Sequence, residues 1–251
     1  MRKKRISFYA IMILGLLAAA IFVVARVNRY DESQPFIYGE FNTFSPTLSP
    51  VILPTSAPAS VILEVPYVSE APSGNFSGPW KNACEEASIT MVEKYYLGEK
   101  SVSIREAEDF MAMLFDKEDV LYGSNKNTDA AQTAAIINNY ASYNAVVITD
   151  PKIEEIKEEL EQNRPVISLH RGFDLQNENI RFAPILSSYH MMVIIGYDDE
   201  TREFVTNDPG DFVAGAGRRY GYDLFMASLH DYDYATKKAE GPARVIFTSR
   251  F

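Results

Sequence analysis

The chain holds one cysteine, Cys84, in the stretch KNACEEAS, directly before apolar residues at helical spacing. A thiol in the first turn of a helix meets unpaired backbone N–H groups and the positive end of the helix dipole, which favour its thiolate. Glu85 and Glu86 follow at once and oppose that ionisation with negative charge. Cys84 therefore needs an imidazolium partner before it can act as a nucleophile. Of the three histidines, His190 is the candidate, because it opens the apolar run HMMVIIGY. A buried strand gives a polar ring no place without a reason.

A hairpin supplies the third group. DDET, residues 198–201, is a turn signal between two strand-like runs. Antiparallel pairing about it sets His190 opposite residue 209, and a slip of one or two positions in the loop brings it to Asp208 or Asn207 in NDPG. Opposed side chains lie roughly 4.5–5.5 Å apart at Cβ, near enough for a carboxylate or amide to hold an imidazole N–H. Local geometry thus makes His190 a candidate base and Asp208 its orienter, with Asn207 as the alternative. NDPG is also an ordinary turn sequence. His170 reads as structural, His230 as a solvent-facing cap, and Tyr95, Tyr96, Tyr220 and Tyr222 as core or cleft-wall residues without chemistry. The histidines lack ligand spacing and no HExxH, EF-hand or GxxxxGK[ST] pattern occurs, so no metal and no cofactor is expected. A single cysteine excludes an internal disulfide and a thiolate zinc cluster.

The elements that must carry these residues follow from periodicity. VILEVPYV, residues 61–68, alternates like a strand, and a helix should start at Cys84 and stop near Gly98. Ser103 and Glu106 form a capping-box pattern. Further helices are expected over 128–143 and over 151–163, the latter opened by a proline, with EEIKEELEQ as its solvated face. The strands NAVVIT, PVISLH, HMMVIIGY, REFVTN and ARVIFTS follow, with YDLFMASLHD as a short helix between the last two. Helices early and strands late predict an α+β fold.

Before all this, MRKKR leads into residues 7–25, an apolar run without charge. At about 1.5 Å per residue it nearly spans a hydrocarbon core of roughly 30 Å. The basic cluster should stay cytoplasmic and the rest lie outside. Two readings stay open: a transmembrane signal anchor over 1–26, which the length of the run and the nearby Arg26 and Arg29 favour, and a cleaved signal peptide, which the small residues at 18–20 would allow. Residues 27–60 read as a Pro/Ser/Thr-rich extracytoplasmic linker, and 61–251 as the folded domain. The net charge is −10 although four cations crowd positions 2–5, so the body is acidic and nucleic acid is not an expected partner.

VPYVSEAPSGNF, ACEEASITMVEKYY, HMMVIIGYDDETREFVTNDPG and YGYDLFMASLHD together resemble the papain-like cysteine peptidases of the bacteriocin-processing (double-glycine leader) peptidase superfamily, in its free-standing, membrane-anchored bacterial branch. The resemblance covers most of residues 61–251. It implies a papain-like α+β fold, with N-terminal helices packed on an antiparallel sheet, and hydrolysis of peptide bonds in a peptide or protein substrate outside the cytoplasm. It implies Cys84 as nucleophile, His190 as general base and Asp208 as orienting acid. The family's glutamine before the cysteine, an oxyanion donor, falls at Glu70, and its usual glycine falls at Ala83. On residue chemistry alone Glu70 is a rim carboxylate, and if ionised it would repel an oxyanion. Either Glu70 is neutral, or Asn75, Asn82 or the Cys84 backbone N–H donates instead, or the chain is a catalytically impaired papain-fold module that binds peptide or cell-wall material. A cell-wall amidase on the same scaffold is the alternative enzyme.

Overall fold

The computed structural model describes residues 57–180, 189–211 and 213–251, all within the unit Thr55–Phe251. The anchor expected over 1–26 and the linker expected over 27–60, except its last four residues, lie outside the described residues. Among the described residues no helix is long and apolar enough to cross a membrane.

Among the described residues, five α-helices and seven strands follow one another in an α+β order. They are β1 (Ser60–Ile62), α1 (Cys84–Tyr96), α2 (Ile104–Tyr122), α3 (Ala130–Tyr140), β2 (Tyr143–Thr149), α4 (Ile153–Glu161), β3 (Val166–Arg171), β4 (Tyr189–Asp198), β5 (Glu203–Asn207), β6 (Ala216–Gly221), α5 (Tyr222–Ser228) and β7 (Arg244–Arg250). The strands form one antiparallel sheet in the order β2-β7-β3-β4-β5-β6. On one edge, β4 is covered by β3 along its first half and by β1 along its second. That arrangement buries nearly all of β4, which carries His190 near its start.

Helix α1 begins at Cys84 itself and packs between β4 and α2. Wedged there, it is buried almost all round, polar residues included. Each buried polar side chain then needs a partner. Glu93 takes the N–H and hydroxyl of Ser142 (2.7 and 2.9 Å), Thr90 donates to the Glu86 carbonyl (2.6 Å), and Glu85 accepts the Thr128 N–H (3.2 Å). Glu85 and Glu93 thereby fasten α1 to the chain at both ends of α3. Capping completes the helical layer: Ser103 and Glu106 form the expected reciprocal cap of α2, and Asp129 accepts from Gln132 N–H at the start of α3 (2.8 Å).

Several expectations are corrected. The strand expected over 61–68 shrinks to β1. Leu63 N–H still reaches the Ile195 carbonyl (2.7 Å), but Pro66 has no N–H to offer a ladder and the Val65 carbonyl takes the Asn207 side-chain amide (3.0 Å). The alternation survives as burial of Leu63, Val65 and Val68. The helix expected over 128–143 ends at Tyr140, since Glu93 captures Ser142 and turns the chain into β2. Pro151 precedes α4 by two residues instead of opening it. Strand β6 carries little strand propensity, with glycines in GAGRRYG; its pairing with β5 makes it. His230 is half-buried and donates to the Gly241 carbonyl (3.1 Å), so it is no solvent-facing cap.

Gly196 shows how tightly β1 closes on β4. A Cβ there would lie 2.2 Å from the Val61 carbonyl oxygen, a backbone atom that cannot swing away. Gly196→Ala should therefore destabilise the domain by about 1–3 kcal/mol in a denaturant titration and strip hydrogen-exchange protection from the Leu63 amide.

Candidate active site

Cys84 is brought to its place by the turn before α1. The 3-10 turn Gly78–Asn82 starts with Pro79, and Trp80 within it packs edge-on against Phe115 of α2, ring centroids 5.2 Å apart. The sulfur then sits against β4, where the Met191 backbone hydrogen-bonds it. The residue before Met191 is His190. Its Nε2–H donates to Asp208 Oδ1 at 2.7 Å, and both side chains are buried.

Asp208 is held from every side. Oδ1 also accepts the Gly210 and Asp211 N–H groups (3.1 and 3.2 Å), while Oδ2 accepts the Tyr220 hydroxyl (2.6 Å). Burial alone would raise this carboxyl, yet the charge and hydrogen bond of His190, then Tyr220 and the Gly210 N–H, hold it below its ordinary value. Gly210 is required at its position, because a Cβ would lie 2.8 Å from His190 Cε1. The ladder between β4 and β5 pairs Val193 with Asn207 and shifts register between Ile194 and Gly196. Asp208 thus meets His190 by folding back beyond the ladder and is not its cross-strand partner. Asn207 is committed elsewhere, to the Val65 carbonyl and the Gly217 N–H (3.2 Å).

The cross-strand partner of His190 is His170. It lies between two serine hydroxyls, with Nδ1 2.8 Å from Ser228 Oγ and Nε2 2.9 Å from Ser168 Oγ. Ser228 donates to the Phe225 carbonyl (2.7 Å), so it accepts from Nδ1–H and leaves Nε2 as the acceptor. Burial, then the neighbouring His190, pushes His170 well below its ordinary value. His170 is a neutral structural ring.

Glu70 is half-buried. Its segment is strapped onto the NDPG turn: Glu70 N–H donates to the Pro209 carbonyl (3.0 Å), and the Tyr67 hydroxyl reaches the Asp208 and Asp211 carbonyls (3.3 Å each). Burial first, and then the charges of Asp208 and Glu85, push Glu70 well above the usual carboxylate range. Glu70 in turn acts on Cys84, so the structure gathers Cys84, Glu70, Asp208 and His190 around the start of α1. It does not gather Asn75, which is exposed and accepts from Ser77 N–H (3.2 Å) within its own turn. Asn82 is half-buried at the end of the 3-10 turn before Cys84.

The glutamates after Cys84 are the surprise. Cys84 Sγ donates to Glu85 Oε2 at 3.0 Å. Burial, then Glu85 and Glu70, pushes the thiol well above its ordinary value, the reverse of what the helix end alone favours. Glu86 hydrogen-bonds Glu118 of α2, while Glu86 Oε2 and Glu118 Oε1 have no hydrogen-bond partner among the described residues. Two carboxyls that share a hydrogen bond share a proton. Burial, then the charges of Glu118 and Glu85, holds Glu86 well above the carboxylate range. Tyr220, Tyr67 and the Glu85–thiol contact escaped sequence reasoning. Only the adjacency of Glu85 to Cys84 was a signal, and it pointed to charge, not to a buried bond.

The Peptidase_C39 like family model matches residues 62–240. A solved structure described as a C39-like peptidase from Bacillus anthracis is 15% identical, with 76% of this chain and 98% of that one covered at a TM-score of 0.50. Xylellain, a cysteine protease from Xylella fastidiosa, is 14% identical over 78% of this chain and 87% of its own at a TM-score of 0.35, and nothing is built on that likeness. No curated protein matches the chain.

Because the Glu86 carboxyl is raised in the fold, the folded state binds more protons than the unfolded one above the ordinary value of 4.5, and stability falls as pH rises from there. Glu86→Gln removes that dependence while keeping an amide that can donate to Glu118. Thermal melts should show the variant gaining stability over the parent as pH goes from 5 to 8. A gain independent of pH would refute the shared proton.

Proposed function

The chain belongs to the Peptidase_C39 like family, and from that membership we propose that it is an active thiol peptidase with Cys84 as nucleophile, His190 as acid–base and Asp208 as orienter. The observation that carries this reading is the buried 2.7 Å bond from His190 Nε2 to an ionised Asp208, one residue from the backbone that holds the Cys84 sulfur. Asp208 fixes the tautomer and steadies the imidazolium. The Cys84 thiolate attacks the carbonyl carbon of a peptide or protein substrate. His190 gives its proton to the leaving amine, then takes one from the water that hydrolyses the thioester.

The developing oxyanion needs donors. The Cys84 N–H lies at the first helical position and has no partner within its helix. Glu70 supplies the second donor as a neutral acid, which its burial beside Asp208 and Glu85 supports. The substituted glutamine position then still works, but only below the pH at which Glu70 ionises. The domain acts outside the cytoplasm, tethered by the apolar run over residues 7–25.

Two measurements test this. At pH 5–6 iodoacetamide should modify Cys84 faster than a free thiol in the parent, and His190→Ala should abolish the excess; equal rates in parent and variant would leave a silent binding module. In turnover of a peptide substrate, Glu70→Ala should cost about 10²–10³-fold. Glu70→Gln should match the parent at acid pH and outrun it as pH rises, because its amide donor cannot ionise. A parent and Gln variant with parallel pH profiles would place the oxyanion donor elsewhere.

A further inference from the structure

Glu85 touches the atom that would react. Its Oε2 lies 3.0 Å from Cys84 Sγ, while its Oε1 accepts the Thr128 N–H from the loop before α3. Tyr189 donates to the carbonyl of that same Thr128 (2.8 Å) and fixes the loop to β4. The carboxyl cannot rotate away from the sulfur without abandoning a buried backbone donor. The whole contact is 1–4% exposed. A carboxylate accepts and a thiol donates, so with Glu85 ionised the proton on sulfur points at Glu85.

We propose that Glu85 is a further acid–base residue of the site, whose carboxylate latches the Cys84 proton and whose own protonation releases it. In the latched state Cys84 is a thiol. When Glu85 Oε2 takes a proton from solvent it ceases to accept, and the S–H bond then breaks toward His190. The proton adds to Nδ1, since Nε2 already binds Asp208, and the electron pair stays on sulfur. The product is a thiolate beside an imidazolium and a neutral Glu85. No oxidant or other reactant is needed.

The groups that face Glu85 set how readily it takes that proton. They are Cys84 and Glu86 on its own helix, Glu118 from α2, Glu70 from the strapped segment, Tyr189 from β4 and Tyr234 from the loop after α5. Each is an acid, and each ionised acid would make a second charge on Glu85 dearer. Burial, the largest influence, pushes Glu85 in the same direction, against the hydrogen bond from Cys84. The latch therefore opens toward acid pH and closes toward alkaline pH.

The inference rests on Cys84 as the nucleophile, and its test separates the two ideas. Glu85→Gln keeps an oxygen for the Thr128 N–H and removes the charge. The Glu85 carboxyl is pushed up to about 8, so the variant's rate of iodoacetamide modification should exceed the parent's by about twofold at pH 8 and about tenfold at pH 9, one unit higher, and the ratio should fall toward one at pH 5. A ratio that is flat with pH overturns the latch, even if His190→Ala shows the peptidase reading to be sound. A falling ratio without any effect of His190→Ala keeps the latch and removes the peptidase. Should Glu85→Gln fail to fold, carbon-13 NMR of glutamate carboxyls in the parent and in Cys84→Ala decides. Loss of the thiol donor should shift the Glu85 titration upward, and an unchanged titration overturns the proposal.

Discussion

The fold depends on burying the first turn of α1 between β4 and α2. A helix surrounded by protein is expected to be apolar all round, yet this one carries Glu85, Glu86 and Glu93 into the interior. Each carboxyl becomes a joint. Glu93 ends α3, Glu85 holds the loop before it, and Glu86 grips α2. The same burial delivers Cys84 to β4 with no choice of position. Packing and site placement are one act in this chain, and the cost of dehydrating three carboxyls is part of it.

The electrostatics of the site follow from that act. In water, two glutamates after a cysteine are negative charges that suppress a thiolate. Out of water they favour holding protons, because a buried charge without a cation is more costly than a neutral acid. Asp208 is the exception that sharpens the rule. It is as deeply buried, yet four donors converge on its two oxygens, and it keeps its charge. Asp208 and Glu70, on segments bonded to one another, are two carboxyls driven apart: donors hold Asp208 down, while burial and the Asp208 charge push Glu70 up.

Much of this was legible in the sequence. Helix starts at Cys84 and Ser103, and most strands, followed from periodicity and capping, because those patterns act locally. Hairpin geometry found Asp208 for His190, although the bulge near Ile195 and the fold-back after Asn207 mean that contact arises differently from simple opposition. What stayed hidden was set by distant partners. Strand β6 exists through β5, and Tyr220 on it meets Asp208 through a sheet register that no spacing encodes. The upward push on Glu70 and Glu85 depends on what surrounds them. A glutamate in a helix's first turn is ordinarily a solvated, dipole-favoured charge, and nothing in CEEAS itself announces the walls that enclose it.

The strap from Tyr67 to Glu70 bears on motion. Its bonds go to the backbone of the very turn that carries Asp208, so Glu70 and Asp208 ride on a single stiff piece. When the domain breathes, Glu70 and Asp208 are displaced together, and their separation is preserved. The stretch between Ala71 and the Gly78–Asn82 turn has no such duty. It is largely exposed and can lengthen, shorten or take on new side chains without detuning the chemistry. One flank of the site is thus free to vary while Glu70 and Asp208 stay in alignment.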